Sequence, residues 1–193
     1  YDYLFFIEGD SHTAQYVNPL NNIKNLTNIY FKSANNYLIS EELIINISKH
    51  YNKIFYITDI NNIEKLRKIK NSKIFNVKNI EFIFFNSTPF IYENINPQYC
   101  LSRQIECFIN KKIDFNMRNL SKLNSELDSL QKSGPNIHKF DSYKTLCPLD
   151  KCIIYDKKRD KLYYMDKTHL STEGSLFLKD SLEEFLTDII KLN

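Results

Sequence analysis

The stretch Ile7-Glu8-Gly9-Asp10-Ser11-His12 follows directly on the apolar run Tyr3-Leu4-Phe5-Phe6-Ile7, and Gly9 is one of three glycines in 193 residues. A glycine at the carboxyl end of a buried strand lets the backbone turn sharply, at the edge where open α/β proteins place their sites. Ser11 then opens the next helix, with its hydroxyl exposed and backbone N–H groups nearby to meet developing negative charge. That is a nucleophile's position, and helix capping is its other reading. Far downstream stands Asp166-Lys167-Thr168-His169, just before the last helical stretch. An Asp three residues before a His can hold one ring nitrogen while the other takes a serine proton, the division of labour in serine hydrolases. His12 reads as a residue orienting the Ser11 loop. Asp10, His12, Asp166 and His169 also read together as a metal site, but that would leave Ser11 unexplained, and no metal is assigned.

The elements that must position these residues show a βαβ rhythm over the first 90 positions. Tyr3 to Ile7, Asn28 to Lys32, Lys53 to Thr58 and Ile80 to Phe85 are apolar runs without alternation, as for parallel strands buried on both faces. Between them Glu41 to His50 carries Leu43, Ile44 and Ile47 on one helical face, and Asn61 to Lys70 carries Ile63, Leu66 and Ile69. Pro89 to Lys112 reads as a long surface excursion. Ile113, Met117, Leu120, Leu123, Leu127 and Leu130 then predict one crossover helix closed by Gly134-Pro135. Ile137 to Phe140 predicts a further strand, and Cys152 to Tyr155 with Lys161 to Tyr164 a hairpin around residues 157–160. Ser171 or Thr172 caps a last helix with Leu178, Leu182, Phe185 and Ile189 as its stripe. The expectation is an α/β fold of three layers around a mostly parallel sheet, as a single domain over residues 1–193 cut from a longer protein.

Composition narrows the function. With 26 basic and 23 acidic residues spread along the chain there is no electrostatic footprint for nucleic acid. No apolar run approaches the ~20 residues of a membrane span. Cysteines fall in two close pairs, Cys100 with Cys107 and Cys147 with Cys152, which predicts two disulfides and an oxidising compartment. Four buried or idle thiols are the alternative, and neither pair has the C-x-x-C spacing of a zinc knuckle. His50 and His138 have no evident partner in sequence, and Lys157-Lys158-Arg159 reads as a solvated turn. Tyr92, Tyr99, Tyr143, Tyr163 and Tyr164 read as exposed aromatics, mostly for packing, with one or two suited to stacking on a sugar.

Gly-Asp-Ser after the first strand, with Asp-x-x-His before the last helix, resembles the SGNH (GDSL-like) hydrolase superfamily. Gly9 to His12, Leu146-Cys147-Pro148 with Cys152, Leu162 to Asp166 and His169-Leu170-Ser171 further resemble the SGNH domain fused to family 3 membrane acyltransferases. Phe82 to Pro89 with Cys100-Leu101 resembles that subgroup's fourth-strand region. The resemblance implies a flavodoxin-like α/β/α SGNH fold with Ser11 as nucleophile, His169 as base and Asp166 as its orienter. It implies an extracytoplasmic domain, tethered through its parent to the cytoplasmic membrane. Its partner is a fused or associated membrane acyltransferase domain that passes acetyl outward, ultimately from acetyl-CoA, to a hydroxyl of a lipopolysaccharide O-antigen, capsule or peptidoglycan type of glycan. No cofactor is expected in this domain itself.

The sequence departs from the family at the oxyanion hole. No glycine occurs between Gly9 and Gly134, so the second-block glycine is missing. Asn35, Thr58 and Asn61 are loose substitutes for the missing donors, and Gly9, Asp10 and His12 complete the candidate surroundings of Ser11. A serine-dependent O-acyltransferase is the leading expectation. A carbohydrate acetylesterase with the same triad and a non-catalytic glycan-binding module of the same fold stand as alternatives.

Overall fold

The computed structural model describes residues 3–24, 26–34, 39–92, 94–134 and 136–191. In chain order these form β1 (Tyr3–Gly9), α1 (Ser11–Ala14), α2 (Val17–Asn21), β2 (Ile29–Ser33), α3 (Glu41–Ser48), β3 (Lys53–Ile60), α4 (Ile63–Lys70) and β4 (Ile80–Asn86). Then come α5 (Pro97–Arg103), β5 (Cys107–Asn110), α6 (Lys111–Met117), α7 (Leu120–Ser133) and β6 (Ile137–Phe140). The remaining elements are α8 (Ser142–Leu146), β7 (Lys151–Asp156), β8 (Lys161–Leu162), α9 (Thr172–Phe177) and α10 (Lys179–Lys191). The chain divides into two units, one of Tyr1–Val17, Asn25–Ser87 and Lys122–Phe140, the other of Asn18–Lys24, Thr88–Ser121 and Asp141–Asn193.

The first unit is built on a parallel sheet of order β2-β1-β3-β4-β6. All four early apolar runs form strands, and in β4 every residue from Ile80 to Asn86 is buried. Unbroken burial is why β1, β3 and β4 do not alternate in sequence, whereas β2, expected to be buried on both faces, is an edge strand with no fully buried residue. Phe5 and Phe55 stack at 4.9 Å between β1 and β3, and Phe6 lies over Tyr56. Strand order reverses between β1 and β3, so the loops leaving their carboxyl ends diverge and open the crevice in which such sheets hold their ligands. In α4 the expected stripe holds, with Leu66 and Ile69 buried and Asn62 capping the helix by accepting from the Lys65 N–H at 2.9 Å, but in α3 only Ile44 of the expected face is buried and Leu43 is exposed.

The long helix expected over 113–130 is two helices. Arg118 ends α6, and Asn119 adopts φ 51° before α7. Ile113 and Met117 are exposed, while Leu120, Leu123, Leu127 and Leu130 are buried. The apolar spacing continues across the break only by coincidence. Asn110 caps the start of α6, the left-handed backbone at Asn119 turns the chain between the two helices, and Asp114 and Arg118 of the first lie in a buried polar cluster.

The second unit contains an antiparallel sheet of order β5-β7-β8. The hairpin is present, with Tyr155 opposite Leu162. Within the expected surface excursion lie α5 and β5, and β5 pairs with β7 through Ile109 and Cys152. Both cysteine pairs are disulfides, Cys100–Cys107 joining α5 to β5 and Cys147–Cys152 joining the end of α8 to β7. The last helix is interrupted at Leu178, and its buried stripe is Leu178, Leu182, Leu186 and Ile189, with Phe185 only partly covered. Of the tyrosines read as exposed, Tyr143, Tyr163 and Tyr164 are buried and Tyr92 and Tyr99 are not.

Candidate active site

In the first unit the turn after β1 presents Ser11 as the first residue of α1, exposed to solvent. Asp10 caps that short helix: its Oδ1 accepts a hydrogen bond from the His12 N–H at 2.9 Å. The His12 backbone therefore helps hold the Ser11 turn, whereas the His12 ring sits 3.4 Å from the Gln15 side-chain nitrogen. No glycine here has positive φ, so the reason for Gly9 is space and not a left-handed turn. A Cβ on Gly9 would overlap the Thr13 side chain. Thr13 is wholly buried, and its hydroxyl donates to Asp59 at the carboxyl end of β3. Lys65 of α4 also reaches Asp59, Nζ to Oδ1, at 2.7 Å. This Thr13–Asp59–Lys65 link ties the Ser11 turn to the neighbouring strand and was missed in the sequence, although an aspartate within the apolar run Phe55 to Ile60 was a signal for it.

Beside this turn is a cavity of about 40 Å³, lined among others by Glu8, Gly9, Asp10, Tyr56, Thr58 and Lys65. Thr58 thus lines the same cavity as Gly9 and Asp10, its hydroxyl 3.4 Å from the Asp59 carbonyl. Glu8, buried at the cavity wall, accepts from the Tyr56 hydroxyl at 3.0 Å and from the Ser40 N–H at 3.2 Å. The Asn61 side chain is not in the cavity wall and accepts from Asn62 at 2.8 Å. Asn35 lies outside the described residues.

In the second unit Asp166 and His169 occupy one tight turn. An isolated antiparallel bridge between Tyr164 and Leu170 closes its base, with the Met165 N–H donating to the His169 carbonyl at 2.9 Å and the Ser171 N–H to the Tyr163 carbonyl at 3.0 Å. Ser171 caps α9 by accepting from the Gly174 N–H at 3.0 Å. A Cβ on Gly174 would run into the Tyr163 carbonyl, so this glycine lets α9 start directly against the strand that carries the turn. Asp166 Oδ2 faces His169 Nδ1 at 2.8 Å, and Oδ1 accepts from the N–H groups of Thr168 at 2.7 Å and His169 at 2.8 Å. Partial burial opposes the charge on Asp166, but these hydrogen bonds outweigh it and hold the carboxyl down to about 2. The carboxylate is therefore ionised at neutral pH, accepts from Nδ1–H, and selects the imidazole tautomer whose Nε2 can accept a proton.

Among the described residues no group of three or more His, Cys, Asp or Glu is placed to hold a metal. No helix among them is long and apolar enough to cross a membrane. His138, which had no partner in sequence, lies 2.9 Å from Glu81 and belongs to a structural cluster with Lys53 across β3, β4 and β6.

A parallel sheet carrying Gly-Asp-Ser where its strand order reverses, and a separate Asp-x-x-His turn with its carboxylate and ring hydrogen-bonded, are the marks of an SGNH-type α/β fold. The chain belongs to the family of SGNH domains fused to AT3 domains, whose model matches residues 61–184 and so includes Asp166 and His169 but not the Ser11 turn. Over 97% of its length it is similar in fold to the solved structure of the Salmonella ser. Paratyphi A lipopolysaccharide acetyltransferase periplasmic domain. That likeness covers 84% of the Salmonella chain at TM-score 0.59 and 18% identity. No curated protein matches the sequence.

Proposed function

We propose that this chain is the acyl-transferring domain of an AT3-type acyltransferase, with Ser11 as nucleophile, His169 as general base and Asp166 as the residue orienting that base. The observation that carries this reading is the Asp166 carboxylate, which uses both oxygens to fix the His169 backbone and ring. In the first step Ser11 Oγ attacks the donor's acyl carbonyl while His169 Nε2 takes the hydroxyl proton. The tetrahedral oxyanion collapses, the donor's leaving group departs with that proton, and an acyl ester remains on Ser11. In the second step His169 Nε2 takes a proton from a sugar hydroxyl, whose oxygen attacks the acyl ester; the tetrahedral oxyanion collapses, the bond to Ser11 Oγ breaks, and His169 returns the proton to Oγ. Water in place of the sugar gives ester hydrolysis by the same steps.

The family fusion to AT3 domains supports a membrane acyltransferase partner and an extracytoplasmic location, and the two disulfides support the same compartment; acetyl-CoA as ultimate acetyl source is part of the proposal itself. The Salmonella relative supports a cell-surface carbohydrate as acceptor. The test is p-nitrophenyl acetate turnover together with intact-protein mass. Wild type is expected to gain one acetyl and to turn over, with Ser11→Ala and His169→Ala reduced at least a thousandfold, on the order found when triad members are removed. Equal turnover by Ser11→Ala overturns the mechanism. Wild type without turnover or adduct, but retaining glycan binding, turns the reading to a binding module.

A further inference from the structure

The second unit holds a buried charged cluster that the acyl-transfer steps do not use. Asp114 on α6 is wholly buried; its Oδ1 accepts from the Phe90 N–H at 3.1 Å and its Oδ2 from the Tyr143 hydroxyl. Arg118, one turn later, has 7% of its side chain exposed and lies 3.7 Å from Asp114. Its Nη1 donates to the Thr88 carbonyl at 2.8 Å, and its guanidinium carbon sits 3.9 Å from the centre of the Phe90 ring. Its Nη2 is buried and has no hydrogen-bond partner among the described residues. Burial pushes the Asp114 carboxyl up despite hydrogen bonds from Tyr143, Phe90 and Arg118.

Such a cluster is a weak stabiliser, because taking both charges out of water offsets much of their attraction and one guanidinium nitrogen is left unanswered. Its contacts converge instead on one stretch of backbone. The Thr88 carbonyl, the Phe90 N–H and the Phe90 ring are all gripped by Asp114 and Arg118. The next residue, Ile91, donates its N–H to the Lys167 carbonyl at 2.8 Å. Lys167 lies between Asp166 and Thr168 in the exposed part of the turn, beyond the Tyr164–Leu170 bridge that closes its base.

We infer that Asp114, Arg118 and Tyr143 are positioning residues for His169: they clamp residues 88–90 so that the Ile91 N–H holds Lys167 and, with it, the Asp166–His169 geometry. The inference rests on the reading of His169 as the base. A loosened turn would let the imidazole wander from its productive position, and a misplacement of about 1 Å costs on the order of a hundredfold in rate.

The test uses Arg118→Met and Arg118→Lys, with Tyr143→Phe as a milder variant that keeps the ring, each checked by near-UV circular dichroism and assayed well below its thermal transition. Two readouts are taken, kcat and KM for p-nitrophenyl acetate and amide hydrogen exchange at Ile91, Thr168 and His169. Arg118→Met is expected to lower kcat at least tenfold with KM nearly unchanged, and to speed exchange at those three amides while Ile57 in β3 keeps its protection. Arg118→Lys, which retains the charge and a donor, is expected to recover part of both effects. A folded Arg118→Met with wild-type exchange at Thr168 and His169 overturns the inference, as does faster exchange spread evenly over the unit. Should Arg118→Met fail to fold, Tyr143→Phe decides by the same criteria. Should the wild type not turn over the ester, that result counts against the serine mechanism alone, and hydrogen exchange still decides the clamp.

Discussion

Replacing Gly9 by alanine puts a methyl group into space held by the Thr13 side chain, with both its Oγ1 and its Cβ too close. The helix that starts at Ser11 must shift away from β1, and the hydrogen bond from Thr13 to Asp59 stretches with it. Overpacking of a tight core costs about 1–3 kcal/mol. Weakening a buried hydrogen bond to a charged group adds about 1.5–3 kcal/mol. The two share one displaced side chain, so they do not fully add, and about 3–4 kcal/mol is expected for the single change. At an m-value of about 2 kcal/mol/M this lowers the urea midpoint by roughly 1.5–2 M. Far-UV circular dichroism and tyrosine emission can follow it, since the chain has 13 tyrosines and no tryptophan. Second-site changes make the test specific. Thr13→Ala should not rescue Gly9→Ala, because its Cβ remains in the way; Thr13→Gly should recover the steric part while the Asp59 hydrogen bond stays lost. A Gly9→Ala midpoint within about 0.3 M of wild type would refute the packing account, and rescue by Thr13→Ala would refute its geometry.

Asp166→Asn should lower ester turnover on the order of ten-thousandfold with little change in KM, since an amide favours the wrong His169 tautomer. Because the Asp166 carboxyl is held down to about 2, its protonation should contribute nothing to activity lost between pH 7 and pH 4, and a pH–rate profile in which Asp166→Asn abolishes that acid limb would refute this. Glu81 offers a stability test: burial alone would raise its carboxyl, but hydrogen bonds from His138 and Lys53 lower it below 4.5. Its contribution is therefore present above about pH 4.5 and is lost as pH falls through the depressed value. Glu81→Gln should flatten that acid limb in urea unfolding measured from pH 7 to pH 3, and an unchanged limb would exclude the cluster as its source. The disulfides close short loops, with separations of 7 and 5 residues, so each is expected to contribute about 2–2.5 kcal/mol on the loop-entropy account. Unfolding midpoints of Cys100→Ser/Cys107→Ser and Cys147→Ser/Cys152→Ser against wild type measure it, and peptide mapping without reductant checks the pairing.

What the sequence determined by itself was whatever is encoded over a few neighbouring residues. The apolar runs that become β1, β3 and β4 are continuous because those strands are buried on both faces, and such burial leaves its record in every residue. Gly-Asp-Ser at a strand end and Asp-x-x-His before a cap were legible for the same reason, as was the local pairing of cysteines. The tertiary structure decided what depends on residues distant in sequence. Spacing at 113–130 predicts one helix, but Asn119 takes a left-handed backbone between α6 and α7, and Asp114 and Arg118 find partners 24 to 30 residues away that no helical period contains. β5 was invisible since four residues carry no periodicity of their own and gain their strand only by pairing with β7. Gly9 and Gly174 stood in the sequence as residues, but the reason for each is an atom of another segment, the Thr13 side chain in one case and the Tyr163 carbonyl in the other. The same holds for Thr13 and Asp59 and for Glu81 and His138, whose polar groups make sense only once the fold brings them together. A local pattern can name the groups proposed to do chemistry and the turn that pairs Asp166 with His169, but contacts such as Thr13 with Asp59 or Ile91 with Lys167 join distant residues and exist only in the folded chain.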